Sequence, residues 1–195
     1  MPDAAAHPPQ ETSPTAPAGP AAAALADAVR EIERHVAGAG WDGPVRVFAL
    51  VRTTRLLATE PELSAHLPDD AVTASRSDAH HLTSVEQEGL PAAADLEGLL
   101  AQLSWPPTVD GAAVVVERVV LPAQAEDSMP ADPAAALEYL MAHPARQDVR
   151  IAVGVLRAGA AWCAVRTRAN DTDDAVASGP DLVPGLVAAV AATLD

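Results

Sequence analysis

The chain has 195 residues, of which 49% are hydrophobic and 3% aromatic, and 27 carboxylates against 12 basic residues give a net charge of −15. Lysine is absent, which excludes a lysine Schiff base, a P-loop lysine and a kinase-type lysine. The charge lies well beyond the usual magnitude of about 2–8 for a small domain. Such a charge repels nucleic acid and anionic membranes, and it favours either solubility or a basic partner.

The sequence points to a cytoplasmic protein. Cys163 is the sole cysteine, so no intrachain disulfide is possible. The N-terminus lacks the positive and continuous apolar regions of a signal peptide. The longest uncharged apolar run, residues 182–194, falls short of the roughly 20 residues of a membrane span.

The first half of the chain predicts a tail followed by mixed helices and strands. Residues 1–20, rich in Ala and Pro, are predicted to be a disordered tail, and residues 21–195 a single domain. Apolar side chains spaced by four, three and four residues predict the first helix; they are Leu25, Val29, Ile32 and Val36. A strand is predicted over 45–52, with a short helix from Thr53 and another announced by the capping-box spacing of Thr59 and Glu62. A polar loop is expected over 68–80 and an edge strand over 82–88.

The second half predicts a helix, a buried strand, a helix, a hairpin and a final helix. The leucines of 96–103 have helical spacing, and 111–121 is a β-branched run typical of an interior strand. Asp132 and Pro133 are suited to begin a helix that ends at His143. The segments 149–156 and 161–168 flank a tight turn with Gly159, and Asp181 is expected to cap the last helix.

This order predicts an α+β fold with a mostly antiparallel sheet of about five strands packed with helices. The C-terminal helix has no charge between residues 182 and 194. A helix that is apolar on every side is expected to be buried or to lie in an oligomer interface.

An acidic loop follows the hairpin and is a candidate metal site. Asn170, Asp171, Asp173 and Asp174 offer the hard oxygen ligands that Mg²⁺ and Ca²⁺ prefer. The alternative is a solvated loop without metal. His80 and His81 are adjacent, so in an extended segment they point to opposite faces and cannot chelate one ion together.

A second candidate is a set of strand residues that could form a positive face for an anionic ligand or an acidic peptide. The set is Arg46, Arg118, Arg150, Trp162, Arg166 and Arg168. The alternative is that these arginines pair with neighbouring carboxylates such as Glu117, or cover apolar surface with their stems. No catalytic residue is assigned.

Five segments resemble an uncharacterised family of small actinobacterial cytoplasmic proteins with no assigned activity. They are WDGPVRVFALVRTTRLLATEP (41–61), LTSVEQEGLP (82–91), WPPTVDGAAVVVERVVLP (105–122), RIAVGVLRAGAAWCAVRTR (150–168) and GPDLVPGLVAAVAATL (179–194). The resemblance implies one α+β domain and transfers no catalytic residue.

A non-enzymatic binding or accessory domain is therefore favoured, with a second copy of itself, in a homodimer, and another cytoplasmic protein as the expected partners. Size, acidity, layout and the apolar last helix loosely resemble secretion-chaperone-like proteins, an analogy at the level of fold. The terminal helix would serve self-association, and the sheet face would bind the partner. A metal-dependent, hydrolase-like enzyme using the acidic loop and an anion-binding domain using the arginine face are the alternatives.

Overall fold

The computed structural model describes residues 16–195. Six strands occur in this part of the chain: β1 (Arg46–Arg52), β2 (Leu82–Glu86), β3 (Gly111–Val120), β4 (Gln147–Leu156), β5 (Ala161–Thr167) and β6 (Ala177–Gly179). Seven helices accompany them: α1 (Pro20–Ala37), α2 (Thr53–Thr59), α3 (Asp69–Ser77), α4 (Leu96–Leu100), α5 (Ala123–Glu126), α6 (Pro133–Ala142) and α7 (Pro184–Ala192). Short 3-10 turns span Pro61–Ala65 and Asp173–Ala175.

All six strands pair antiparallel, in the order β2-β1-β3-β4-β5-β6. The α+β class and the antiparallel sheet predicted from the sequence are confirmed, with six strands instead of about five. The β4–β5 hairpin turns at Gly159, whose φ of +89° is a conformation that glycine adopts without strain. β3 and β4 pair over ten residues and form the centre of the sheet.

The first layer is α1, which lies on one face of the sheet. Its apolar stripe is buried as predicted, and it packs on β4 and β5. The contact is closest at Gly154 of β4, where a Cβ atom would lie 2.5 Å from Val29 Cγ2 and 3.0 Å from Leu25 Cδ1. Glycine at this position therefore allows the helix to approach the sheet.

The opposite face of the sheet is covered by α7 and α4. Val190 and Leu194 are buried there, and Trp105 Nε1 donates a hydrogen bond of 3.0 Å to Thr193 Oγ1. The outward positions of α7, which include Gly185, Ala188 and Ala192, are exposed. The uncharged last helix is therefore buried along one side and open along the other.

Several local predictions were wrong. Residues 69–77 form α3 where a loop was expected, and β6 was missed. Thr59 Oγ1 donates to the carbonyl of Arg55 at 2.6 Å, so the expected capping box does not form and a 3-10 turn follows. Asp181 does not cap α7, which begins at Pro184 without a side-chain cap. The cap at Asp132 is confirmed, since its Oδ1 accepts from the Ala135 amide at 2.9 Å.

The predicted tail, residues 1–20, lies mostly outside the described residues, which begin at residue 16; Pro20 already belongs to α1. Among the described helices, none is both long enough and apolar enough to cross a membrane.

Candidate functional site

Most of the predicted arginine face lies at one end of the sheet, beneath α1 and the loop that follows it. Alternation along the strands places Arg46, Arg150, Arg166 and Arg168 on the α1 side, the side on which Trp162 is buried. Arg118 lies on the other side, because its neighbours of equal parity in β3 pack against α7. The α1 side is covered, so these residues do not form an open sheet face.

Arg166 is the most heavily paired of these arginines. Its side chain is 3% exposed, and its Nε and Nη2 donate to Glu33 of α1 at 2.6 and 2.8 Å; Glu33 is 2% exposed. Nη1 also donates to Asp171 at 3.2 Å and Nη2 to Asp173 at 2.7 Å. The hydrogen bonds that Arg166 donates to Glu33 are the main reason that the pKa of Arg166 is raised.

Trp41 connects two further arginines. Its indole ring lies 4.3 Å from the Arg150 guanidinium and 5.2 Å from that of Arg168, and its Nε1 donates to Asp171 at 2.8 Å. Such cation–π contacts strengthen when the cation is shielded from water, as Arg150 is. We call the connected group the Trp41 cluster; its members are Glu33, Trp41, Asp42, Glu117, Arg150, Arg166, Arg168, Asp171 and Asp173.

Arg150 and Arg168 are also held by carboxylates in this cluster. Arg150 Nη2 donates to Glu117 Oε1 at 2.9 Å and to the Gly40 carbonyl. Its Nε and Nη1 have no hydrogen-bond partner among residues 16–195. Arg168 bonds Asp42, and this hydrogen bond is the main reason that the pKa of Asp42 is lowered and that of Arg168 raised.

The acidic loop is placed against the arginines. Bonds from Trp41 and Arg166 lower the pKa of Asp171, and bonds chiefly from Arg166 lower that of Asp173. Asn170 and Asp174 are exposed, and the Asn170 amide donates to Thr167. Within residues 16–195 no group of three or more His, Cys, Asp or Glu side chains is arranged to hold a metal. The two sets of site residues predicted from sequence thus meet at Arg166, which binds Asp171 and Asp173 of the acidic loop.

A cleft of about 550 Å³ lies beside the cluster, between the end of α1 and residues 86–90. Arg46 is in its wall, and its guanidinium binds both carboxylate oxygens of Glu86, which lowers the pKa of that carboxyl. Both arginines of the wall, Arg46 and Arg150, already have a carboxylate partner.

A second exposed feature is the segment of residues 121–146 between β3 and β4, which we call the arm. It contains α5 and α6, and no residue of α6 is buried. Three of its apolar side chains are among the most exposed large ones described: Met129 (44%), Leu137 (60%) and Met141 (50%). Tyr139 ties α6 to α5, since its hydroxyl donates to the Ala125 carbonyl at 3.2 Å.

Other arginines meet at the opposite end of the sheet, and sequence reasoning missed them. Arg52 ends β1, Arg55 follows in α2, and Arg157 follows β4, so the antiparallel pairing brings them together. Together with Asp110 and His80 they line a cavity of about 210 Å³. We call these five residues the arginine pocket. The sequence places all three arginines at or just after the end of a predicted strand. That position indicates a shared site only when the order of the strands in the sheet is known.

Fold and site together define an acidic three-layer α+β domain with a covered arginine cluster and an exposed apolar arm. The family model of the PPA1309-like proteins matches residues 25–195, and the chain belongs to this family, which is uncharacterised. No significant match was found among curated proteins or among solved structures.

Proposed function

We propose that this protein is a non-enzymatic cytoplasmic binding domain that acts by contact with another protein, and that the arm is the contact surface. The observation that carries the proposal is α6, a helix with a single charge, Glu138, and no buried residue. Exposed apolar patches on monomers mark interaction sites when they are contiguous. Leu137 and Met141 lie four residues apart and therefore on one side of the helix.

The energetics of α6 support this role. Isolated helices shorter than about 12–15 residues are marginal in water, and most helical stability in proteins comes from packing. α6 has 10 residues and is supported by the Asp132 cap and by Tyr139. A partner that covered Leu137 and Met141 would supply the packing that the rest of the domain does not give it.

The proposed partner is an amphipathic segment with basic residues around an apolar face. The arm carries four carboxylates and a single arginine, Arg146; the carboxylates are Glu126, Asp127, Asp132 and Glu138. With the overall charge of −15, this favours a positively charged partner. Like charges oppose the pairing of two arms, so self-association is proposed instead through the uncharged outer side of α7.

A defined peptide tests the arm. A labelled model helix of leucine and lysine should bind the wild-type protein saturably in fluorescence anisotropy, whereas its leucine–glutamate counterpart should not. Each exposed apolar side chain that becomes buried contributes about 1.5–3 kcal/mol. Changing both Leu137→Gln and Met141→Gln should therefore weaken binding at least about tenfold.

The matched control is Val85→Thr, which changes another exposed apolar side chain on β2 and should leave binding unchanged. If the double variant binds the basic peptide as well as the wild type does, the attraction is due to net charge alone and the arm is not the contact surface.

A further inference from the structure

We propose that the arginine pocket binds a small oxyanion, a phosphate or carboxylate group of a small molecule. The pocket is separate from the arm and from the Trp41 cluster. Its walls come from the start of α1, the ends of β1 and β4, the start of α2 and the residues just before β2 and β3. The cavity of about 210 Å³ is smaller than the roughly 300–1,000 Å³ of drug-sized ligand sites, which suits a compact group.

Positive charge exceeds negative charge in this pocket. Asp110 is the carboxylate of its wall, and its Oδ1 lies 3.2 Å from Arg55 Nη2 and 3.6 Å from Arg52 Nε. Its Oδ2 also accepts a hydrogen bond of 2.8 Å from the Arg52 amide. One largely buried carboxylate is thus shared by two guanidinium groups and a backbone amide.

Arg157 adds a third positive charge that carbonyl groups hold in place. Its Nε donates to the Val109 carbonyl at 3.0 Å, its Nη2 to that of Trp105 at 2.9 Å, and its Nη1 to that of Leu194. Within residues 16–195 no carboxylate lies within 4 Å of this guanidinium. The carbonyl groups fix the position of the Arg157 guanidinium without neutralising its positive charge. An anion bound in the pocket would therefore be attracted by that charge.

Two features make the pocket available to a ligand. Arg52 and Arg55 are 41% and 45% exposed, so their guanidinium groups can be reached from solvent. His80 lines the cavity, and its buried Nδ1 has no hydrogen-bond partner among the described residues. The backbone amide of His80 donates to Asp78 at 2.8 Å, which fixes the loop that carries the ring.

The chemistry of arginine identifies the ligand class. A guanidinium presents its N–H groups in a planar fork that matches the two oxygens of a carboxylate or phosphate. The net charge of −15 does not prevent binding, because charges beyond the Debye length of about 8 Å at physiological ionic strength are largely screened. The nearest charged groups therefore set the electrostatic potential in the pocket, and there three guanidinium groups outnumber one carboxylate.

Inorganic phosphate and malonate are the two probes, titrated into the full chain at constant ionic strength against a chloride background. We expect saturable binding by calorimetry and a matching rise of the thermal unfolding midpoint for at least one probe. Saturable binding of phosphate but not of malonate would identify the ligand as a phosphoryl compound. Binding of malonate but not of phosphate would identify it as a carboxylate compound. Saturation by neither probe would overturn the proposal.

Three variants separate the pocket from general charge effects. Arg55→Gln should weaken binding at least about tenfold. Arg118→Gln removes the same charge from an exposed arginine about 25 Å further along β3 and should bind like the wild type. Asp110→Asn removes the competing carboxylate and should bind more tightly. Equal loss in Arg55→Gln and Arg118→Gln, or weaker binding by Asp110→Asn, would show that the pocket is not the site.

Discussion

The arginines at the two ends of the sheet differ in how completely neighbouring carboxylates neutralise them. At the end that lies beneath the C-terminal half of α1 and the loop that follows it, Arg166 binds three carboxylates, and Arg150 and Arg168 each bind at least one. At the other end, Arg52 and Arg55 share one carboxylate, and Arg157 contacts carbonyl groups. Strand β1 joins the two, since it begins at Arg46 and ends at Arg52.

For Arg150 and Arg166, whose side chains are 0% and 3% exposed, the difference follows from burial. A charge removed from water costs several kcal/mol unless a partner compensates it, so a buried arginine requires carboxylates. An arginine at an open pocket keeps its hydration and does not require them. Paired arginines therefore belong to the stability of the fold, whereas incompletely neutralised arginines remain free for a ligand.

Glu33→Gln should lower the free energy of unfolding more than any other proposed change. It tests whether the paired arginines stabilise the fold. Breaking a buried ion pair by removing one partner costs about 3–5 kcal/mol. We expect about 3 kcal/mol, the low end, because Asp171 and Asp173 remain with Arg166. Urea denaturation measures the free energy of unfolding.

Two controls belong to this measurement. Glu31→Gln, an exposed site on the same helix, and Arg55→Gln at the other end should each change the free energy of unfolding by less than about 0.5 kcal/mol. If Arg55→Gln were as destabilising as Glu33→Gln, the two ends would not differ in the way that we infer.

Acid should weaken the Trp41 cluster, and we expect this to lower stability less than Glu33→Gln does. The hydrogen bond from Arg166 lowers the folded-state pKa of Asp173 below its usual value, so the contribution of its carboxylate to stability is present at neutral pH. That contribution is lost as pH falls below about 4 through the folded pKa. The thermal midpoint of Asp173→Asn should therefore lie below that of the wild type at neutral pH and converge with it in acid.

Asp174→Asn is the matched control for the acid titration, because Asp174 is exposed and adjacent in the same loop. Its midpoint should follow that of the wild type at every pH. A difference between wild type and Asp173→Asn that persisted unchanged in acid would mean that the carboxylate charge of Asp173 is not what stabilises the cluster.

A chelator should have the smallest effect, because we expect it to remove no metal from the protein. Asp171 and Asp173 have arginine and tryptophan partners, so we expect native mass spectrometry of protein purified without chelator to give a metal-free dimer. Ala188→Glu places a charge on the outer side of α7 and should give a monomer. A stoichiometric extra mass that a chelator removes would assign the acidic loop to a metal instead, and a monomeric wild type would reject self-association through α7.

Sequence patterns predicted those elements whose signals are local. The spacing of Leu25 and Val29 predicted α1, Gly159 predicted the hairpin turn, and the Asp132 cap predicted α6. The three residues of β6 carry no strand pattern and form a strand by pairing with β5. Asp181 has the right residue type for a cap but lies three residues before the helix begins.

The sequence by itself determined the antiparallel α+β class, the acidity and the identity of the charged residues, because these depend on composition and on periodicity along the chain. Only the tertiary structure decided which charges meet. Glu33 and Arg166 are 133 positions apart, and Arg52 and Arg157 come together through the strand order. Partners so distant in sequence are set by the packing of α1 on the sheet and by strand pairing, for which no local pattern carries a signal.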